Sequence, residues 1–130
     1  MCPEELCDSM VPAALGAVVS LTVGDPHTCA VDTAGAVTCW GSNGNGQTLV
    51  PAALGMVVSA SAGGYHTCAA NKAGALSCWG DDGSGQSSVP MALGVVVSVS
   101  AGVSHTCAVD TVGALTCWGD NSAGQSHVWQ

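Results

Sequence analysis

The sequence predicts an all-β protein made of three tandem blades of the β-propeller type, and three observations lead to this prediction. A unit of 39 residues occurs three times without insertion or deletion. Within each unit, apolar and polar residues alternate with the period of two that is typical of a β-strand. Each unit also contains two short β-prone runs on either side of a glycine turn, as in a hairpin. No stretch has the periodicity of an amphipathic helix.

The repeats define the predicted domain organisation. A nonrepeated N-terminal arm at 1–10 precedes the copies, and 128–130 stand where a fourth copy would begin. The copies span 11–127 and occupy residues 11–49, 50–88 and 89–127. Closed propellers usually have about four to eight blades. Three blades therefore form an incomplete propeller, which we expect self-association to complete or extend.

The first predicted strand of each copy is a run such as "VVSLTVG" at 18–24. In this run Val19, Leu21 and Val23 alternate with small hydroxyl residues, and the strand stops at Gly24. The next two strands form a hairpin, "HTCAVDTAGAVTCWG" at 27–41, in which Gly35 supplies the left-handed conformation of a three-residue loop.

The hairpin loop fixes the register of the two strands and therefore the cysteine pairs. If residues 33–35 form the loop, Cys29 lies opposite Cys39, at a Cα separation of about 4.5 to 5.5 Å that a disulfide can span. The alternative is a zinc site with His27, Cys29 and Cys39 as ligands, but the closer Cys-x-x-Cys pairs of zinc motifs are absent. We therefore favour one disulfide in each hairpin and predict no metal: Cys29 with Cys39, Cys68 with Cys78, and Cys107 with Cys117.

Two interpretations are open for each of three further sets of residues: the N-terminal cysteines, the equivalent histidines and the equivalent tryptophans. Cys2 and Cys7 either close a small loop together, which "CPEELC" favours, or link to another chain. The equivalent histidines could form a ring of ligands, and the equivalent tryptophans could stack on a ligand. We favour structural roles, with the histidines bonded to local backbone and the tryptophans covering the edge of the next blade, because packing normally fixes repeat-equivalent positions. These positions are His27, His66, His105, Trp40, Trp79 and Trp118.

Composition argues against several classes of function. One Lys and nine carboxylates give a net charge of −8, which disfavours binding to nucleic acid and to anionic membranes. Eight cysteines in 130 residues indicate an oxidising compartment, and we expect the protein to be extracellular. No catalytic trio, paired catalytic glutamates or phosphate-binding loop can be assembled, so we predict neither an enzyme nor a cofactor.

The segment "SAGVSHTCAVDTVGALTCWGDNSAGQ" at 100–125 and its two relatives closely resemble the repeat of the regulator-of-chromosome-condensation family. The resemblance is to the short, cysteine-containing form of secreted or bacterial members, and it covers 11–127. It implies propeller blades and activities that range from nucleotide exchange on a small GTPase to inhibition of secreted enzymes. The basic surface and long loops on which the nuclear roles depend are missing here.

These observations predict a secreted, noncatalytic structural protein whose blades self-assemble head to tail into a filament or a ring. The expected partners are therefore other copies of the chain. The alternative is an extracellular binding module, lectin-like or enzyme-inhibiting, which holds a glycan or protein ligand on inter-blade loops that include Asp81, Asp82 and Asn121, or on its tryptophan faces.

Overall fold

The computed structural model describes residue 12, residues 15–24, 27–91 and 93–122, and residue 124. Within these residues nine strands form three antiparallel sheets, and each sheet is one blade of an open propeller. The predicted fold class is confirmed, with three strands in each blade. The arm at 1–10 with Cys2 and Cys7, and residues 128–130, lie outside the described residues.

The strands of each blade follow one another in chain order across the sheet. The first blade contains β1 (Val18–Val23), β2 (His27–Asp32) and β3 (Val37–Gly41), the second contains β4 (Val57–Ala62), β5 (His66–Asn71) and β6 (Leu76–Gly80), and the third contains β7 (Val96–Ala101), β8 (His105–Asp110) and β9 (Leu115–Gly119). In the described part of the chain, no helix is long and apolar enough to cross a membrane.

The hairpin of each blade has the register that its loop length predicts. In the first blade Cys29 lies opposite Cys39, and the Asp32 N–H donates to the Ala36 carbonyl at 3.0 Å. Gly35 has a φ of 80°, in the left-handed region that side chains disfavour. Local turn chemistry therefore accounts for this pair of strands.

The first strand of each blade is less regular than the alternating sequence suggests. Each of these strands carries a β-bulge near its start, which leaves one residue out of the pairing with the second strand. In the third blade Val96 and Val99 are consequently buried, whereas Val97 is 48% exposed. The burial of this strand follows the bulge and the neighbouring blade, and does not follow strict alternation.

The hydrophobic core lies between blades. One cluster joins Val31 of the first blade to Val57 and Ala69 of the second. The other joins Ala70 of the second blade to residues of the third blade that include Val96. Each blade therefore contributes both of its faces to packing when it has a neighbour on each side.

Candidate functional site: the blade faces

A buried polar unit joins the first blade to the second. The Thr67 hydroxyl donates to the Gln47 carbonyl at 2.7 Å and lies 2.8 Å from Nε2 of His27. The Trp79 indole N–H donates to the same Gln47 carbonyl at 2.9 Å. The side chains of His27 and Thr67 are almost completely buried. The unit thus fixes the position of one blade on the next through three hydrogen bonds that cross between the blades.

The same unit joins the second blade to the third. His66 Nε2 lies 2.8 Å from the Thr106 hydroxyl, which donates to the Gln86 carbonyl at 2.9 Å. The Trp118 indole N–H donates to that carbonyl at 3.0 Å. Because the two units are equivalent in residue type and geometry, we regard them as the repeated joint of this fold.

The hydrogen bonds define the tautomer of the buried histidines. A carbonyl oxygen only accepts, so the Thr67 proton points to Gln47 and the hydroxyl oxygen accepts from His27 Nε2–H. Nδ1 of His27 and Nδ1 of His66 are buried without a hydrogen-bond partner. Burial lowers the pKa of His27, against a smaller opposing effect of the His66 backbone. Burial also lowers the pKa of His66 to about 4, so both imidazoles are neutral near neutral pH.

The structure changes two expectations about the repeat-equivalent residues. The predicted bond of the histidines to local backbone is wrong, because His27 and His66 bond to threonine side chains of the following blade. The predicted direction of the tryptophans is also wrong, because Trp79 and Trp118 bond to the loop of the preceding blade. The role of the threonines was not predicted, although a threonine follows the histidine in all three copies.

Hydroxyl groups of the first strands add a second line of bonds between blades. The Thr22 hydroxyl accepts from the Ala62 N–H at 3.1 Å, and the Ser61 hydroxyl accepts from the Ala101 N–H at 2.9 Å. The alternating serines and threonines of these strands therefore bind the next blade. Their period of two indicated a strand, but it carried no signal of this role.

Each described hairpin contains one disulfide at the predicted pair. The Cα–Cα distances are 4.1 Å for Cys29–Cys39 and Cys68–Cys78, and 4.0 Å for Cys107–Cys117. Cys29 and Cys68 are fully buried, whereas Cys107 of the third blade is partly exposed. Among the described residues, no group of three His, Cys, Asp or Glu side chains could hold a metal ion.

The carboxylates of the inter-blade loop bind the loop itself. Asp81 accepts from the Gln86 side-chain amide at 2.9 Å, and Asp82 accepts from the Ser87 N–H at 2.9 Å. In the first blade Ser42 stands at the position of Asp81, and the buried Nε2 of Gln47 has no partner. These acidic side chains therefore shape the loop, and the substitution at position 42 leaves one amide unsatisfied.

The first blade presents one open face, which we call the head face and define by Val18, Leu21, Val23, Thr28 and Trp40. Val18 is 43% exposed, whereas its equivalents Val57 and Val96 are 4% and 2% exposed. Thr28 is partly exposed, and among the described residues neither its hydroxyl nor the Trp40 indole N–H has the bonds that the equivalent groups make. The head face therefore has the donors and apolar side chains of a joint without the preceding blade.

The third blade presents the opposite face, which we call the tail face and define by Ser100, His105, Val109, Gly113 and Leu115. His105 is partly exposed, whereas the other two strand-start histidines are buried. Leu115 is 49% exposed, although its equivalent Leu76 packs against an inter-blade core. The tail face therefore has the histidine, the polar groups and the apolar side chains of a joint without the following blade.

Comparisons with known proteins identify the repeat. Residues 18–47, 57–86 and 96–125 match the family model described as "Regulator of chromosome condensation (RCC1) repeat". The structure is similar to the ectodomain of the receptor kinase CR4 from Physcomitrella patens, with 27% identity and a TM-score of 0.73, over 95% of this chain and 37% of that one. A comparison with curated proteins gave no match.

Two further solved structures are similar in fold alone. Human WBSCR16 is 24% identical with a TM-score of 0.71, over 87% of this chain and 37% of that one. Prp20p from Saccharomyces cerevisiae, whose structure was described with its binding properties to Gsp1p and histones, is 20% identical with a TM-score of 0.71, over 84% of this chain and 34% of that one. The chain thus spans little more than a third of the length of these three solved structures.

Proposed function

This chain belongs to the regulator of chromosome condensation (RCC1) repeat family, and on that premise we propose that it is a noncatalytic structural protein whose blades assemble head to tail with those of other copies. The main support for the proposal is that the two open faces, the head face of the first blade and the tail face of the third blade, are the two complementary sides of the internal joint. The same joint is made twice inside the chain, so the surface that fits each open face is the opposite face of a second copy.

The internal joints define the contacts of the proposed joint between copies, because equivalent residues recur every 39 positions. The bond of His27 to Thr67 becomes a bond of His105 to Thr28 of the next copy. The Gly35 carbonyl accepts from the Val57 N–H at 2.9 Å within the chain. Gly113 of one copy accepts in the same way from the Val18 N–H of the next.

The joint between copies also buries apolar surface. Inside the chain, the equivalents of Val18 and Leu115 pack in the two inter-blade clusters. Burying an aliphatic side chain that water otherwise reaches contributes about 1.5 to 3 kcal/mol. A contact between two different faces of one chain is heterologous, so it closes into a ring or continues as a filament. Two chains would form a six-bladed ring.

Sedimentation velocity of the 130-residue chain over a wide range of concentration tests this proposal. We expect the mass to increase with concentration, and a monomer at every concentration would contradict the proposal. Val18→Glu on the head face and Leu115→Glu on the tail face should each prevent assembly, because each would bury a charge in the joint. Val112→Glu is the matched control, since this hairpin tip is 86% exposed and its equivalents are exposed in every blade.

We also propose that the protein works outside the cytosol. Each described hairpin holds a disulfide, and reducing compartments rarely keep such bonds. The similarity to a receptor ectodomain supports the same compartment. Alkylation of the native protein without reductant should leave the six hairpin cysteines unmodified, and their labelling would contradict this assignment.

A second candidate function is an extracellular binding module. A groove of about 430 Å³ lies where the first strands of the blades end, and it is lined by residues that include Gly63, Tyr65 and Val103. The ectodomain similarity is consistent with ligand binding at such a groove. Capture of a protein or glycan that is lost in Tyr65→Ala, by a chain that stays monomeric, would favour this function over assembly.

A further inference from the structure

The proposed joint between copies places a titratable side chain at its centre. Resting on the head-to-tail assembly proposed above, we propose that His105 makes this joint acid-sensitive: the neutral imidazole connects two copies, and its protonation separates them. In this joint the tail face of one copy binds the head face of a second copy. The atom that takes up the proton is Nδ1 of His105.

The internal joints show why a neutral imidazole is required. Each uses Nε2–H as a donor to a threonine hydroxyl whose own proton is committed to a carbonyl. Nδ1 of His27 and of His66 carries no proton in this tautomer and is buried without a hydrogen-bond partner. Protonation of Nδ1 adds a charge to a buried site, and burying a charge is costly. The same geometry at His105 would oppose its protonation in the assembled state.

The neighbours of a buried strand-start histidine also act on its pKa. We call the three equivalent histidines, His27, His66 and His105, the histidine ladder. Burial lowers the pKa of His66 to about 4, and the charges of the neighbouring His27 and His105 act in the same direction, whereas Asp81 and the backbone of His105 oppose them. In the joint, His105 would face His66 of its own chain and His27 of the next copy. Asp120 stands at the position of Asp81. The histidine ladder therefore accumulates like charge when it is protonated.

A separated copy accommodates the proton more easily. The imidazole of His105 is partly exposed when no blade follows it, so water can solvate the charged form. Each broken joint thus binds one proton more than an intact joint, and linkage requires that acid shifts the equilibrium toward separated copies. The separation of the copies needs only the binding of a proton, and no covalent bond forms or breaks.

The net charge predicts the opposite pH dependence and makes the test discriminating. The chain carries a charge of −8 at pH 7, and copies repel one another. Acidification reduces this repulsion, so charge alone favours association at lower pH. Dissociation on mild acidification is therefore specific to a group that must stay neutral in the joint.

The experiment measures the association constant of the full chain by sedimentation velocity between neutral pH and about pH 5.5. For the unmodified sequence we expect the association constant to decrease as the pH is lowered, with a limiting slope of about tenfold per pH unit for one linked proton. His105→Gln keeps an N–H donor but does not titrate, so its association should not weaken over this range. His127→Gln is the matched control and should keep the original pH dependence. Near-ultraviolet circular dichroism of the tryptophans checks that the blades stay folded.

The outcomes separate this inference from the proposed function. A chain that is monomeric at neutral pH contradicts head-to-tail assembly itself. A chain that assembles but keeps or increases its association on acidification overturns the role of His105, as does dissociation of His105→Gln over the same range. If His105→Gln does not assemble at all, the test uses the slope of the logarithm of the association constant of His127→Gln against pH. A slope that corresponds to about one proton per joint supports the inference, and a slope of zero overturns it.

Discussion

Replacement of Thr67 by valine should destabilise the chain by removing the centre of an internal joint. The hydroxyl binds Nε2 of His27 at 2.8 Å and donates to the Gln47 carbonyl at 2.7 Å, in a site that water does not reach. Valine has nearly the same shape, so packing is retained while the His27 donor loses its acceptor. The Gln47 carbonyl keeps the Trp79 indole. One orphaned buried donor and one weakened acceptor cost about 2 to 3 kcal/mol.

Thermal unfolding of dilute protein measures this effect, and a loss of about 2 to 3 kcal/mol corresponds to a decrease in Tm of about 10 °C for a chain of this length. Thr28→Val is the matched control, because Thr28 is the equivalent residue on the head face and has no such partners among the described residues. Its cost should stay within about 0.5 kcal/mol. Equal losses in the two variants would refute the assignment of the threonine to the joint.

Three other predictions follow from the same joints. Gly63→Ala should destabilise the chain by several kcal/mol, because its Cβ would collide with the Gly102 backbone oxygen of the third blade. Thermal melts that match the parent chain would contradict this. Ser42→Asp should raise stability by about 1 kcal/mol by accepting from the orphaned Gln47 Nε2, and Ser42→Ala, without a carboxylate, should not. Because burial lowers the pKa of His66, the unfolded chain binds a proton at this residue more readily than the folded chain does. The free energy of unfolding should therefore be at its full value above about pH 6.5 and should decrease by about 2 kcal/mol by about pH 5. A free energy of unfolding that stays constant over this range would count against a buried neutral imidazole.

The architecture inside one blade was accessible from the sequence because it depends on local chemistry. The three-residue loop that ends at Gly35 fixes the register, and the register places Cys29 opposite Cys39. These constraints act within fifteen residues of chain, residues 27–41, and they recur unchanged in each copy. The strands, the hairpins and the disulfide pairs could therefore be predicted without knowledge of how the blades pack.

The contacts between blades were not accessible in the same way. Periodicity assigns the same pattern to all three first strands, yet Val18 is exposed where Val96 is buried, because in the described part of the chain only Val96 has a preceding blade against it. The β-bulge shifts the buried positions and leaves no mark in the alternation of residues. The partners of His27 and Trp79 are likewise set by the neighbouring repeat, at a sequence separation that local reasoning does not reach.

The mass of an equimolar mixture of two face variants tests head-to-tail assembly most directly. Val18→Glu keeps an intact tail face and Leu115→Glu keeps an intact head face, so each variant alone should be a monomer by sedimentation velocity. Their mixture should form a dimer and nothing larger, because one joint can form and the two remaining faces are both altered. A mixture that stays monomeric, or a single variant that associates as the parent chain does, would contradict the proposed assembly.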